Sequence, residues 1–144
     1  MKKIISGIAI LCLSTSLFGC GNTNDVPTKS EQPQIPDLTG EWKQINSKSD
    51  DTYHAAKIES DSIEIYWVTE SDETKALYWA GTFVAPETID ELYSWDSEND
   101  KDKTDSALMA SSSDTKTFTY EDGQISYEAS ALGVTQTIRL EKQQ

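Results

Sequence analysis

From Glu41 to the C-terminus, apolar side chains recur at every second position, the period of a strand with one face buried. Ile63, Ile65 and Trp67 alternate with Glu64 and Tyr66, and Leu77, Trp79, Gly81 and Phe83 repeat the pattern over a longer run. A glycine inside such a run marks a bend or a bulge. Phe118 and Tyr120 lead into Asp122-Gly123, which is followed by Ile125, Tyr127 and Ala129. Asp-Gly between alternating runs predicts a type I′ hairpin, because both central residues of that turn need positive φ. The spacing predicts strands over 40–46, 53–59, 62–69, 75–84, 88–95, 106–111, 115–121, 124–130 and 134–141, with a helical turn as the alternative for 88–95. Short strands with tight links predict an all-β fold: a small antiparallel meander closed into a β-barrel, which removes exposed edges. A β-sandwich is the other arrangement open to the same pattern.

The first residues follow a different logic. Lys2 and Lys3 precede an apolar run from Ile4 to Leu13, too short to cross a bilayer as a helix, which needs about 20 such residues. The run ends in Leu17-Phe18-Gly19-Cys20. This segment resembles the lipobox of bacterial lipoproteins: an aliphatic residue three places before a cysteine and a small residue just before it. The resemblance implies that Cys20 receives a diacylglyceryl group and becomes the N-terminus after cleavage, so that residues 1–19 are a discarded signal peptide. Each buried methylene of such chains contributes about 0.8 kcal/mol to membrane binding. Residues 20–36 are polar and carry three prolines, the composition of a solvated tether, and a single β-domain is expected over 37–144. Cys12 falls within the signal peptide, so with Cys20 acylated the mature chain has no thiol left for a disulfide.

Charge narrows the partners. Loss of residues 1–19 removes two lysines and no acid, leaving 10 basic against 25 acidic side chains, a net charge of −15. That excludes nucleic acid, whose binding demands a positive face. Contact with the membrane is expected through the lipid alone. Arg139 is the single arginine among twelve basic residues, and Gly21 follows the cysteine where aspartate would signal inner-membrane retention. Both lean towards a Gram-positive host, with the protein on the extracytoplasmic face of the cell membrane.

Thr39-Gly40-Glu41-Trp42 opens the first strand and Arg139 lies on the last. The two segments resemble the calycins (lipocalins, fatty-acid-binding proteins, avidins), in which Gly-x-Trp begins strand one and a basic residue of the final strand lies across the indole. The resemblance implies that Trp42 and Arg139 pack together at a barrel end, the cation stacked on the ring. Strict alternation with Ile138 and Leu140 turns Arg139 outward, so a twisted strand end would be needed to bring the two together.

Catalytic chemistry finds few residues. His54 is the sole histidine, without a nucleophile signature such as Gly-x-Ser-x-Gly, and reads as an ordinary strand residue. One histidine and no free cysteine leave a zinc site almost without ligands. The acid-rich run from Asp96 to Asp105 alternates carboxylates as calcium loops do, yet Lys101 stands where an EF-hand needs glycine and Ala107 where it needs glutamate. It reads as a solvated connector. No cofactor, metal or enzymatic activity is expected. The remaining candidates are aromatic. Tyr66-Trp67 and Tyr78-Trp79 are adjacent pairs, so if Trp67 and Trp79 face inward, Tyr66 and Tyr78 face outward as a patch suited to a sugar, peptide or protein. The function expected is that of a non-enzymatic binding lipoprotein. Its ligand would be a small apolar molecule inside the barrel, or a protein or envelope component on the aromatic face. A protease-inhibitor-like barrel is a variant of this reading, and a mobile-element exclusion or immunity lipoprotein is the alternative.

Overall fold

A computed structural model describes residues 34–88 and 90–144. The segment expected as a signal peptide, Cys20 and most of the expected 20–36 tether lie outside the described residues. Eight antiparallel strands form one sheet: β1 (Gly40–Gln44), β2 (Thr52–Glu59), β3 (Ser62–Thr69), β4 (Thr74–Thr82), β5 (Leu92–Glu98), β6 (Thr115–Glu121), β7 (Gln124–Ala131) and β8 (Val134–Lys142). A single turn of helix, α1 (Lys101–Thr104), follows β5. The strands lie in the order β4-β3-β2-β1-β8-β7-β6-β5. Chain neighbours therefore pair throughout, except that β1 joins β8 and a seam separates β4 from β5. The sheet is all-β, curled and barrel-like.

The seam is bridged at Gly81 and Asn99. Beyond it, chain 100–111 runs along the free edge of β4, where the Asp100 and Ser111 N–H groups donate to the Ala80 and Tyr78 carbonyls at 2.8 Å each. An open edge of β4 would otherwise invite pairing with another chain. Gly81 makes the approach possible, because a β-carbon there would lie 2.4 Å from the Glu98 carbonyl oxygen and 2.4 Å from Ser97 Oγ.

Period-two alternation places the core. Trp42, Ala56, Ile58, Ile63, Ile65, Trp79, Trp95, Phe118, Ile125, Tyr127, Ile138 and Leu140 are buried within the curl. The hairpin expected at Asp122-Gly123 is present, with φ of 51° and 80° at the two residues. Two expectations are corrected. Residues 106–111 form no strand: their apolar run lacks alternation, and only the Ser111 N–H donates to the edge of β4, at the Tyr78 carbonyl. The strand expected over 88–95 lies at Leu92–Glu98, because Tyr93, Trp95 and Ser97 face inward while Asp96 and Glu98 point to water. Seven of the ten residues of the acid-rich run, 96–98 in β5 and 101–104 in α1, are thus strand and helix rather than connector.

Candidate functional site

The aromatic pairs do not divide as strict alternation requires. In the β3–β4 ladder Ile65 faces Trp79 and Tyr66 faces Leu77, so Tyr78 is an extra residue without a partner. Such a bulge resets alternation on its strand. Tyr78 and Trp79 are therefore both buried, at 3% and 0% exposure, although they are neighbours in the chain. Tyr66 stays on the outer face, half-buried, and its hydroxyl donates to Glu64. Burial and that carboxylate push its pKa up to about 12. The outer Tyr66–Tyr78 patch is thus not formed.

Tyr78 instead joins an inward cluster with His54, Trp67, Tyr127 and Lys116. His54 is fully buried on β2, and its Nδ1 is hydrogen-bonded to the Tyr127 hydroxyl. Its ring stands edge-on to Trp67, with centroids 3.8 Å apart, and 5.0 Å from Tyr78. Nε2 has no hydrogen-bond partner among the described residues. Burial, and then the nearby Lys116 ammonium, hold the imidazole pKa down to about 4, so the ring is neutral at physiological pH. Burial raises the Tyr127 pKa well above its ordinary value. It raises the Tyr78 pKa too.

Lys116 enters from β6, at the inward position two before Phe118. Its Nζ donates to the Glu128 carbonyl at 3.0 Å and to the Tyr78 hydroxyl at 3.4 Å. It lies 5.2, 5.3 and 5.9 Å from the ring centroids of Tyr78, Trp79 and Tyr127. The reason it fits is a split in the sheet. The β6–β7 ladder pairs only Thr119–Glu121 with Gln124–Ser126, and beyond that the strands part. The side chain of Lys116 crosses the gap and meets a β7 carbonyl that the ladder leaves free. Outside the split lies a groove of about 480 Å³, lined by hydroxyl side chains together with Lys116, Tyr127 and Glu128. The one sequence signal for Lys116 is its spacing, two positions before Phe118 and four before Tyr120 on the inward face of β6.

Above this cluster lies a second cleft of about 430 Å³, with Trp67 and Tyr78 in its lining and Leu108, Met109, Ala131 and Leu132 around it. Leu108 and Leu132 are fully exposed and Met109 is 56% exposed. Leu132 also holds φ at 52°, beside Gly133 at 79°, in the β7–β8 turn. Left-handed backbone favours Gly, Asn or Asp, so neither solvent nor conformation recommends leucine here. The cleft lies at the far end of the sheet from the chain's entry. Gln34 and Pro36 lie beside Asp122 and Gly123, and β7 then runs the length of the sheet to Ala131. Eight residues of strand span roughly 25 Å.

The structure does not bring Trp42 and Arg139 together. Trp42 is inside, donating from Nε1 to the Leu38 carbonyl at 2.9 Å and meeting Tyr120 edge-on. Arg139, between buried Ile138 and Leu140, is exposed on the outer face, and the β8 residue opposite Trp42 is Lys142. Among the described residues, no group of three or more histidines, cysteines or carboxylates is placed to hold a metal ion. Comparison with family models, curated proteins and solved structures finds no match for this chain.

Proposed function

We propose that this chain is a non-enzymatic binding lipoprotein, held on the outer face of the cell membrane by acylated Cys20, that recognises a protein partner through the cleft at the distal end of its sheet. The observation that carries the reading is the pair of fully exposed leucines, Leu108 and Leu132, beside a cleft at the end away from the tether's entry. Exposed apolar side chains grouped around a cleft are the mark of a contact surface. Trp42, Trp79, Trp95, Phe118 and Tyr127 fill the curl, which favours surface recognition over a small ligand inside the barrel. Charge selects the partner's rim. Residues 34–144 hold 23 carboxylates against nine basic side chains, and the cleft wall 99–114 has four aspartates against two lysines. The complementary partner has an apolar centre and a basic border, and a second copy of the same acidic surface is repelled.

Two measurements test this. Cys20→Ser should release the protein from membranes; retention through alkaline carbonate washing would refute the lipid anchor. A photo-crosslinking side chain placed at position 132 in living cells should give discrete protein adducts, lost at high salt, whereas one placed at position 123 should not. Equal labelling from both ends would refute the distal face.

A further inference from the structure

Lys116 is held in an unusual way. Among the described residues no carboxylate lies within salt-bridge distance of its ammonium, although the domain is crowded with acids. Its charge is met instead by the faces of Tyr78, Trp79 and Tyr127, by the Glu128 carbonyl and by the Tyr78 hydroxyl. Rings around a cation with a hydrogen-bond acceptor at one side are how proteins recognise ammonium groups on ligands. Here the parts are assembled from three strands, and the rings are buried. The slot is reached from outside through the β6–β7 split, whose outer mouth is the hydroxyl-lined groove.

We propose that the space filled by the Lys116 ammonium is a binding site for an alkylammonium group, the end of a lysine side chain on a partner polypeptide, and that Lys116 fills it until the partner's lysine displaces it. The exchange is close to balanced. One ammonium replaces another against the same rings and carbonyl, and Lys116 regains its hydration as it swings out into the groove. The negative field of the domain concentrates cationic side chains near the split. A guanidinium is broad and planar where the slot accepts a single nitrogen on an aliphatic stem, so lysine is selected over arginine. Only the polypeptide nature of the partner rests on the recognition reading above; the ammonium site stands on its own geometry.

The test uses the full chain carrying Cys20→Ser, so that it stays in solution, and follows the Trp79 indole N–H resonance. With Lys116→Ala added, n-butylammonium should produce a saturable shift at concentrations at least tenfold below those at which n-butanol acts. Lys116→Met, which keeps the stem and fills the slot, should abolish the response. Equal responses to the amine and the alcohol, or none to either, would overturn the ammonium site. If Lys116→Ala fails to fold, n-butylammonium should restore a dispersed spectrum, and failure to do so has the same force. With Lys116 in place, hexalysine should shift Trp79 and hexaarginine, equally charged, should not. Indistinguishable effects of the two peptides would overturn displacement by lysine. None of these readings depends on the distal cleft, so the two assignments fail separately.

Discussion

Gly81 of β4 lies so close to Glu98 of β5 that a β-carbon on the glycine would stand 2.4 Å from the glutamate's carbonyl oxygen. This contact joins the two edge strands of the sheet, and the same imagined carbon would meet Ser97 Oγ and the Trp79 indole nitrogen, which are themselves hydrogen-bonded at 3.0 Å. Backbone cannot yield as a side-chain tip can. Gly81→Ala should therefore destabilise by about 2–3 kcal/mol, as forced overpacking does, in urea unfolding. The Asp100 amide, which donates across the same seam, should lose protection from hydrogen exchange. A variant as stable as the parent would show that the seam is loose.

His54 makes stability depend on pH. Its folded pKa, about 4, is below the ordinary 6.5, so the unfolded chain binds the proton first as pH falls. Stability from this group is complete above pH 6.5, declines as pH drops towards 4, and falls no further below that. The span corresponds to roughly 3 kcal/mol. Carboxylates titrate in the same range, so the measurement is a difference. Urea stabilities of the parent and His54→Gln, compared at pH 7.5 and pH 4, should show the parent losing about 3 kcal/mol more than the variant. Parallel losses would mean that the imidazole is solvated.

The two ends of the domain test the packing of Trp42. Trp42→Ala should cost about 3–5 kcal/mol as a buried aromatic truncation. Arg139→Gln, on the exposed face, should stay within about 0.5 kcal/mol. The double-mutant cycle should close with a coupling below about 0.5 kcal/mol, the value for residues without contact. A coupling of 1 kcal/mol or more would place the guanidinium on the indole after all.

Most of the sheet was legible because alternation survives wherever strands pair without interruption. Ile63 and Ile65, Ile125 and Tyr127, and Ile138 and Leu140 all face inward as their spacing demands, and the same spacing turned Arg139 outward. Alternation fails where the ladder does. One extra residue, Tyr78, moved a tyrosine from the expected outer patch into the core, and no local signal at Tyr78-Trp79 announces a bulge. The Lys116 site escaped for a related reason: the early parting of β6 and β7 is a property of strand pairing, and an inward lysine makes sense only once that gap is known. The distal cleft depends on bringing residues 108–109 to residue 132, which no sequence period encodes.

Gly123 holds φ at 80° in the β6–β7 hairpin, with open space around it. Replacement by valine meets no neighbour, so any cost comes from backbone alone. Gly123→Val should lower stability by about 1 kcal/mol or more, since a β-branched residue is forced into the left-handed region. Circular dichroism should show the same strand content. An unchanged stability would mean that the turn adopts another form.

Leu132 separates stability from recognition. At φ 52° and full exposure it is the wrong residue for its turn by both local criteria. Asparagine tolerates that backbone and hydrates well, and it is a preferred residue of type I′ turns. Leu132→Asn should therefore stabilise the domain by about 0.5–1 kcal/mol in urea unfolding. If the leucine is retained for contact with a partner, the same substitution should abolish crosslinking of that partner from position 108, across the cleft. The two effects have opposite signs, so a merely misfolded variant cannot produce both. A stabilised protein that still forms the same adducts would mean that Leu132 takes no part in binding and that the contact is carried by the Leu108 side of the cleft alone.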